Sequence, residues 1–502
     1  MSKKYKKFRE LFGEIFDLQA AANVLGWDQQ TYMPPGGGSV RAMQLATLLR
    51  LAHVKLVSDE FGATLEAAEA EVASLDPDGD EVRVVRKVTR DVDKWRKVPS
   101  EWVGEFTRIT ALSQQAWEKA RAESDFAQFE PHLNKVVELR KQYAEFFAPY
   151  GHPYDPLLDF FEPGMKTAEV KAVFDELRPQ QVELVQNIAE HGAPVDDSLL
   201  HQPFDEGKQW DFGVSVAKAL GYDFECGRQD KAVHPFTIGF GVGDVRITTR
   251  FDPNYLGTAL FGTMHEAGHA MYGQGVSPTL DRTTLIEGAS LGIHESQSRM
   301  IENLVGRSRP FWVTFYPRLQ KVFPSQLGDF NLDSFYRAIN KVERSLIRVE
   351  ADEATYNLHI MLRFEIETAL MEGKIAVGDL PDIWNSKMEE YLGILPPDDA
   401  KGVLQDVHWS SGYIGYFPTY ALGNLMASQL WVKINEDIPN LARQIERAEF
   451  GDLLAWLREN IHQHGAKFEP MELLQRVTGS SLSPEPYLHY LRSKYMDIYK
   501  LS

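Results

Sequence analysis

Two histidines four residues apart with a glutamate beside the first, His265-Glu266-Ala267-Gly268-His269, are the residues of this chain best placed to do chemistry. Residues 258–272 are compatible with helix. At about 3.6 residues per turn, positions i and i+4 lie only about 40° apart, so both imidazoles leave one face and can share a metal ion. Glu266 is not a ligand in that geometry, but its carboxylate can take a proton from a water on the metal. The plain alternative is a surface helix carrying two solvated histidines. Gly268 and Gly273 are poor helix formers, which speaks against a purely structural helix and signals the close approach of another backbone. A catalytic zinc commonly has three protein ligands and one open position, so a third ligand is expected downstream. Glu295, in residues 292–303, is the candidate, and spacing alone leaves Asp281, Glu287 and Glu302 as competitors. Cys226 is the only cysteine, so a metal must be held by His, Asp or Glu, and no internal disulfide can form.

Other residues carry chemistry only in company. His234, His359 and His408, taken singly, read as ordinary core or surface histidines. Arg348 can anchor an anionic substrate, or simply pair with Asp352 one turn on. Tyr413, Tyr416 and Tyr420 can anchor a loop by their rings or donate hydroxyls to an oxyanion.

The elements that must position these residues are mostly helical. Apolar residues recur at helical spacing in segments punctuated by Pro and Gly, with breaks at residues 32–39, 76–80 and 161–164. The strand signal is confined to residues 234–250, where β-branched residues flank Gly241-Val242-Gly243, the pattern of a hairpin. No internal repeat or low-complexity linker divides the chain, so the expectation is one mostly α-helical unit over residues 1–502. The composition is 43% hydrophobic and 25% charged with a net charge of −19. Such a surface repels nucleic acid and anionic membranes on average. No run of about 18 apolar residues is present, and a cytoplasmic protein is the default reading.

Six motifs, in order, resemble the metallocarboxypeptidases of the carboxypeptidase Taq family. They are His234-Pro235-Phe236, Asp244-x-Arg246-x-Thr248, His265-Glu266-x-x-His269, His294-Glu295-Ser296-Gln297, Ile347-Arg348-x-x-Ala351-Asp352-Glu353 and Gly402-x-x-Gln405-Asp406-x-His408-Trp409. The resemblance spans nearly the whole chain. It implies a saddle-like helical body with a deep groove and a small β-sheet near the metal, commonly a homodimer. It implies a zinc-dependent enzyme, with Co2+ as a possible substitute, that removes single C-terminal residues with broad specificity and handles C-terminal proline poorly. By motif, His265, His269 and Glu295 look like the metal ligands and Glu266 like the general base.

Amide hydrolysis also needs donors for the oxyanion, for which Tyr420, Tyr413 and His408 are the candidates. An exopeptidase must recognise a free carboxylate, which suits an arginine fork. Arg348 is the first candidate and Arg246 the second, with His234 a further substrate-binding candidate. Asp244, Thr248, Gln405 and Asp406 read as supporting groups. Competing readings are an endo-oligopeptidase or dipeptidyl carboxypeptidase on the same scaffold, and a non-catalytic helical metal-binding scaffold.

Overall fold

The structure, a computed structural model, describes residues 3–501. Met1, Ser2 and Ser502 lie outside the described residues. Helices dominate, and the helical periodicity read from the sequence is where they fall. The N-terminal part consists of α1 (Lys3–Thr31), α2 (Gly38–Leu56), α3 (Asp59–Val72) and α4 (Asp80–Lys97). Its breaks are chemical: α1 ends before the Pro34-Pro35 pair, and Ser58 caps α3 by accepting the Phe61 N–H. These helices share a small core of Tyr5, Phe8, Phe12, Phe61, Val85 and Val88, completed by Leu280 and Leu285 from far along the chain.

A second and much larger core fills the rest of the molecule. Its centre holds α5 (Gly257–Gly275), α6 (Leu291–Arg299), α7 (Tyr356–Glu372) and α8 (Pro418–Asp437). Small residues on α5 (Ala259, Ala267, Gly268, Ala270) are buried and leave room for neighbours. Ser290 caps α6 by accepting the Ile293 N–H, and α6 runs directly into a single π-helical stretch, Met300–Val305. That π stretch has no signature in hydrophobic spacing, and such bulges recur at functional sites.

The expected hairpin is present as β2 (Thr237–Gly241) and β3 (Asp244–Thr249), antiparallel with a register shift between Gly239 and Gly241. A short strand the sequence reading did not contain, β1 (Gln229–Lys231), lies parallel to β3 on its other side, giving the order β1-β3-β2. The sheet lies against α5. Between the two cores, α1, α4, β2, α5 and α6 enclose a groove of about 810 Å³. No helix among the described residues is long and apolar enough to cross a membrane.

Candidate metal centre

Helix α5 carries His265 and His269 on the face turned to the groove, and α6 crosses it closely enough to bring Glu295 between them. Gly268 makes that crossing possible. A Cβ there would stand 2.6 Å from Ser298 Cα and 2.7 Å from the Gln297 carbonyl oxygen. On the far side of α6, a Cβ on Gly423 of α8 would stand 2.6 Å from Glu295 Cβ. Glu295 is therefore held between two helices at positions where any side chain would displace it. Its Oε2 lies 3.6 Å from His265 Nε2 and 3.4 Å from His269 Nε2, and one ligand atom from each of the three residues lies within 4.8 Å of the others. Two donors each about 2.05 Å from a tetrahedral zinc are about 3.3 Å apart. The cluster thus has both the donor chemistry and nearly the spacing that the ion requires.

The outer atoms are fixed as well. His265 Nδ1 lies 2.9 Å from Glu302 Oε2, and His269 Nδ1 lies 2.9 Å from His294 Nδ1, so both Nε2 atoms face inward. Arg299 Nε donates to Glu295 Oε1 at 2.7 Å and leaves Oε2 toward the histidines. Burial opposes ionisation of Glu302, but Arg299, His265 and Arg307 hold its carboxyl down to about 2. Burial likewise opposes ionisation of Glu295, and Arg299 and His265 hold it well below the usual carboxylate range. Of the competitors for third ligand, Glu302 supports His265 from behind, Glu287 stands on the groove wall, and Asp281 lies beside Gly241.

Glu266 is buried yet lines the groove beside His265, His269 and Glu295. Thr237 Oγ1, on β2, lies 2.7 Å from its Oε2 and 3.0 Å from its backbone oxygen. Thr237 was not among the residues singled out from sequence; its only signal is that it directly follows His234-Pro235-Phe236. Tyr416, Thr419 and Tyr420 also line the groove.

The remaining expected residues divide sharply. Tyr420 faces the groove, with its ring 5.3 Å from that of Tyr416. Tyr413 is exposed, stacks on Tyr416 at 5.9 Å, and does not line the groove. His408 sits behind Tyr416 and Phe417, off the groove lining. Its ring is pushed down to about 4 by burial, against the pull of Asp406. His234 is exposed, while Pro235 and Phe236 line the groove.

Neither arginine presents a free fork. Arg348 is buried with Nε and Nη2 on Asp406 Oδ1 at 3.0 and 2.8 Å, and Nη1 on the Tyr356 hydroxyl at 2.9 Å. The pairing with Asp352 is corrected accordingly: Asp352 instead accepts the backbone N–H groups of Glu343, Ala354 and Thr355. Arg246 grips both Asp244 oxygens at 2.8 and 2.7 Å and packs over the Trp27 ring at 4.3 Å. Lys87 is the one lysine or arginine on the groove lining among the described residues.

Comparison with known proteins agrees along the full length. The family described as carboxypeptidase Taq (M32) metallopeptidase matches residues 7–495. The chain is 42% identical to thermostable carboxypeptidase 1 of Thermus thermophilus, covering 99% of each chain. It is 39% identical to carboxypeptidase 1 of Bacillus subtilis, again over 99% of each. Among solved structures, the M32 carboxypeptidase from Deinococcus radiodurans superposes with a TM-score of 0.97 at 40% identity over 100% of both chains. Metallocarboxypeptidase 1 of Trypanosoma cruzi superposes with a TM-score of 0.93 at 34% identity, over 98% of this chain and 99% of that one.

Proposed function

Because the chain belongs to the carboxypeptidase Taq (M32) metallopeptidase family, we propose that it is a zinc-dependent carboxypeptidase that releases C-terminal residues from peptides. The observation that carries this reading is the convergence of His265, His269 and Glu295 beside Glu266 in one groove. His265, His269 and Glu295 would hold a zinc ion, which would supply Lewis acidity for a water and for the scissile carbonyl. Glu266 takes the proton of the attacking water and returns it to the departing amine, while its Oε2 accepts a hydrogen bond from the Thr237 hydroxyl. The Thr237 hydroxyl steadies that oxygen. Tyr420 and Tyr416 line the same groove and are the donors we assign to the oxyanion, each worth on the order of 10²-fold or more. His408 and Tyr413 act by packing against this tyrosine pair, and His234 is the exposed residue that precedes the groove-lining Pro235 and Phe236. Arg348 we assign to positioning: it lies 5.1 Å from the centre of the Tyr420 ring and ties Asp406 beneath it.

Cobalt is expected to replace zinc, since both suit a site of two imidazoles and a carboxylate. We place the chain in the cytoplasm as a single unit without nucleic-acid partners, readings supported by its lone cysteine and its net charge of −19. We also propose a homodimer, supported by the apolar side chains that α2 leaves exposed, Val40, Met43, Leu51 and Val54. The enzymatic reading is tested with a peptide carrying either a free or an amidated C-terminus. Cleavage of the free form alone, lost on chelation and restored by zinc, is expected; equal cleavage of the amidated form overturns exopeptidase action.

A further inference from the structure

The groove wall holds a carboxylate that neither the metal cluster nor the proton-transfer chemistry uses. Glu287 lines the same cavity as the metal ligands and is exposed to it. Among the described residues it accepts no hydrogen bond and forms no ion pair. Almost every other acidic group in the interior is held. Glu295 and Glu302 are held by Arg299, Asp406 by Arg348 and Arg363, and Glu353 by Lys494. The nearby cation is spoken for: Lys87 Nζ on α4 lies 3.3 Å from Asp91 Oδ2, and Thr284 Oγ1 is 3.5 Å from the same oxygen. Lys87, Asp91 and Glu287 together leave this wall with one negative charge in excess.

The position of Glu287 is fixed relative to the reaction centre. Its neighbour Gly288 packs so tightly that a Cβ would lie 2.6 Å from His294 Cδ2, and His294 in turn contacts the ligand His269. Apolar groups, Ile286, Leu291 and Phe160, line the groove around it. Although its side chain is open to the cavity, desolvation by the surrounding groove walls raises the Glu287 carboxyl above its ordinary range, with Lys87 opposing the shift and Asp91 adding to it. A cation arriving in the groove relieves that cost and gains a charge-assisted hydrogen bond.

We infer that Glu287 is a specificity-determining residue that accepts a guanidinium or ammonium side chain of the peptide, so that this enzyme favours substrates with arginine or lysine near the C-terminus. The inference rests on the carboxypeptidase reading for its substrate. It concerns a residue with no part in metal binding or proton transfer.

The test uses N-acetylated peptides, which removes the α-ammonium as a rival cation, with arginine or its neutral isostere citrulline at each of the last three positions. Zinc-loaded wild type is expected to prefer arginine at one of those positions by about tenfold in kcat/KM, the equivalent of one partly desolvated ion pair. In Glu287→Gln the arginine-to-citrulline ratio at that position is expected to fall to near one. Dissociation constants for the same peptides on Glu266→Gln and on Glu266→Gln combined with Glu287→Gln give the ratio without any cleavage. No arginine preference in wild type, or a preference that survives Glu287→Gln, overturns the inference. A binding preference that needs Glu287, in a protein that cleaves nothing, supports the inference and instead overturns the carboxypeptidase reading.

Discussion

Glu266 has one side-chain partner, the Thr237 hydroxyl on β2, and otherwise opens into the groove. Replacing it by glutamine keeps the shape and removes the carboxylate we propose as the base, so Glu266→Gln is expected to lower kcat by on the order of 10³-fold while zinc content stays at wild-type level. Loss of zinc in that variant, measured by metal analysis, would remove the distinction between base and ligand. Glu302 acts one step further out, through His265 Nδ1. Glu302→Gln is expected to weaken zinc about 10- to 100-fold in a competition titration with a chelating dye; unchanged affinity would show that His265 needs no orienting partner. At this scale the sequence was uneven. The His-Glu-x-x-His run is legible because helix geometry alone brings its parts together. Thr237, His294 and Glu302 meet that run only after three elements have packed, and no local spacing announces that. The arginines misled for the same reason. Arg348 sits four residues from Asp352, but tertiary packing delivers Asp406 to it, so Arg348→Ala is expected to destabilise the fold by on the order of 3 kcal/mol.

The spacing of the cluster is set by helix contacts. Gly268 was flagged in the sequence as a poor helix former, and the structure supplies the reason: α6 backbone occupies the place of its side chain. Gly268→Ala is expected to destabilise by about 1–3 kcal/mol through overpacking and to weaken zinc as well. An alanine variant with wild-type melting and affinity would mean that α6 can shift without consequence. The start of α6 is held by Glu162, whose Oε1 accepts the Gly292 N–H while Oε2 has no partner. Burial pushes its carboxyl from an ordinary 4.5 up to about 8, against the opposing pull of the neighbouring Ser290 hydroxyl and the Gly292 N–H. The folded state therefore keeps a proton that the unfolded chain has lost across that interval. This contribution to stability is full below the lower value and is lost as pH rises through the upper one. The difference in melting temperature between wild type and Glu162→Gln is accordingly expected to shift against wild type from pH 4.5 to about 8. Parallel melting curves would contradict it.

The whole molecule places its groove between two hydrophobic cores, the smaller built by α1–α4 and closed by residues from 276–285. Helical class and the hairpin were legible from periodicity. The sheet's parallel third strand and the division of the core were not, because long-range pairing of a three-residue strand leaves no periodic trace. The apolar stripe on α2 is a property of this scale too. Met43→Glu combined with Val54→Glu is expected to convert the proposed dimer into a species sedimenting at 57.0 kDa; a wild type already at that mass would contradict the proposal. The central claim is chemical, and mass spectrometry of one N-blocked peptide tests it most directly, with zinc-loaded wild type, chelated wild type and Glu266→Gln side by side. The expected result is a ladder losing one C-terminal residue at a time in the zinc-loaded wild type alone. Internal fragments, a ladder that persists after chelation, or one that persists in Glu266→Gln would contradict it.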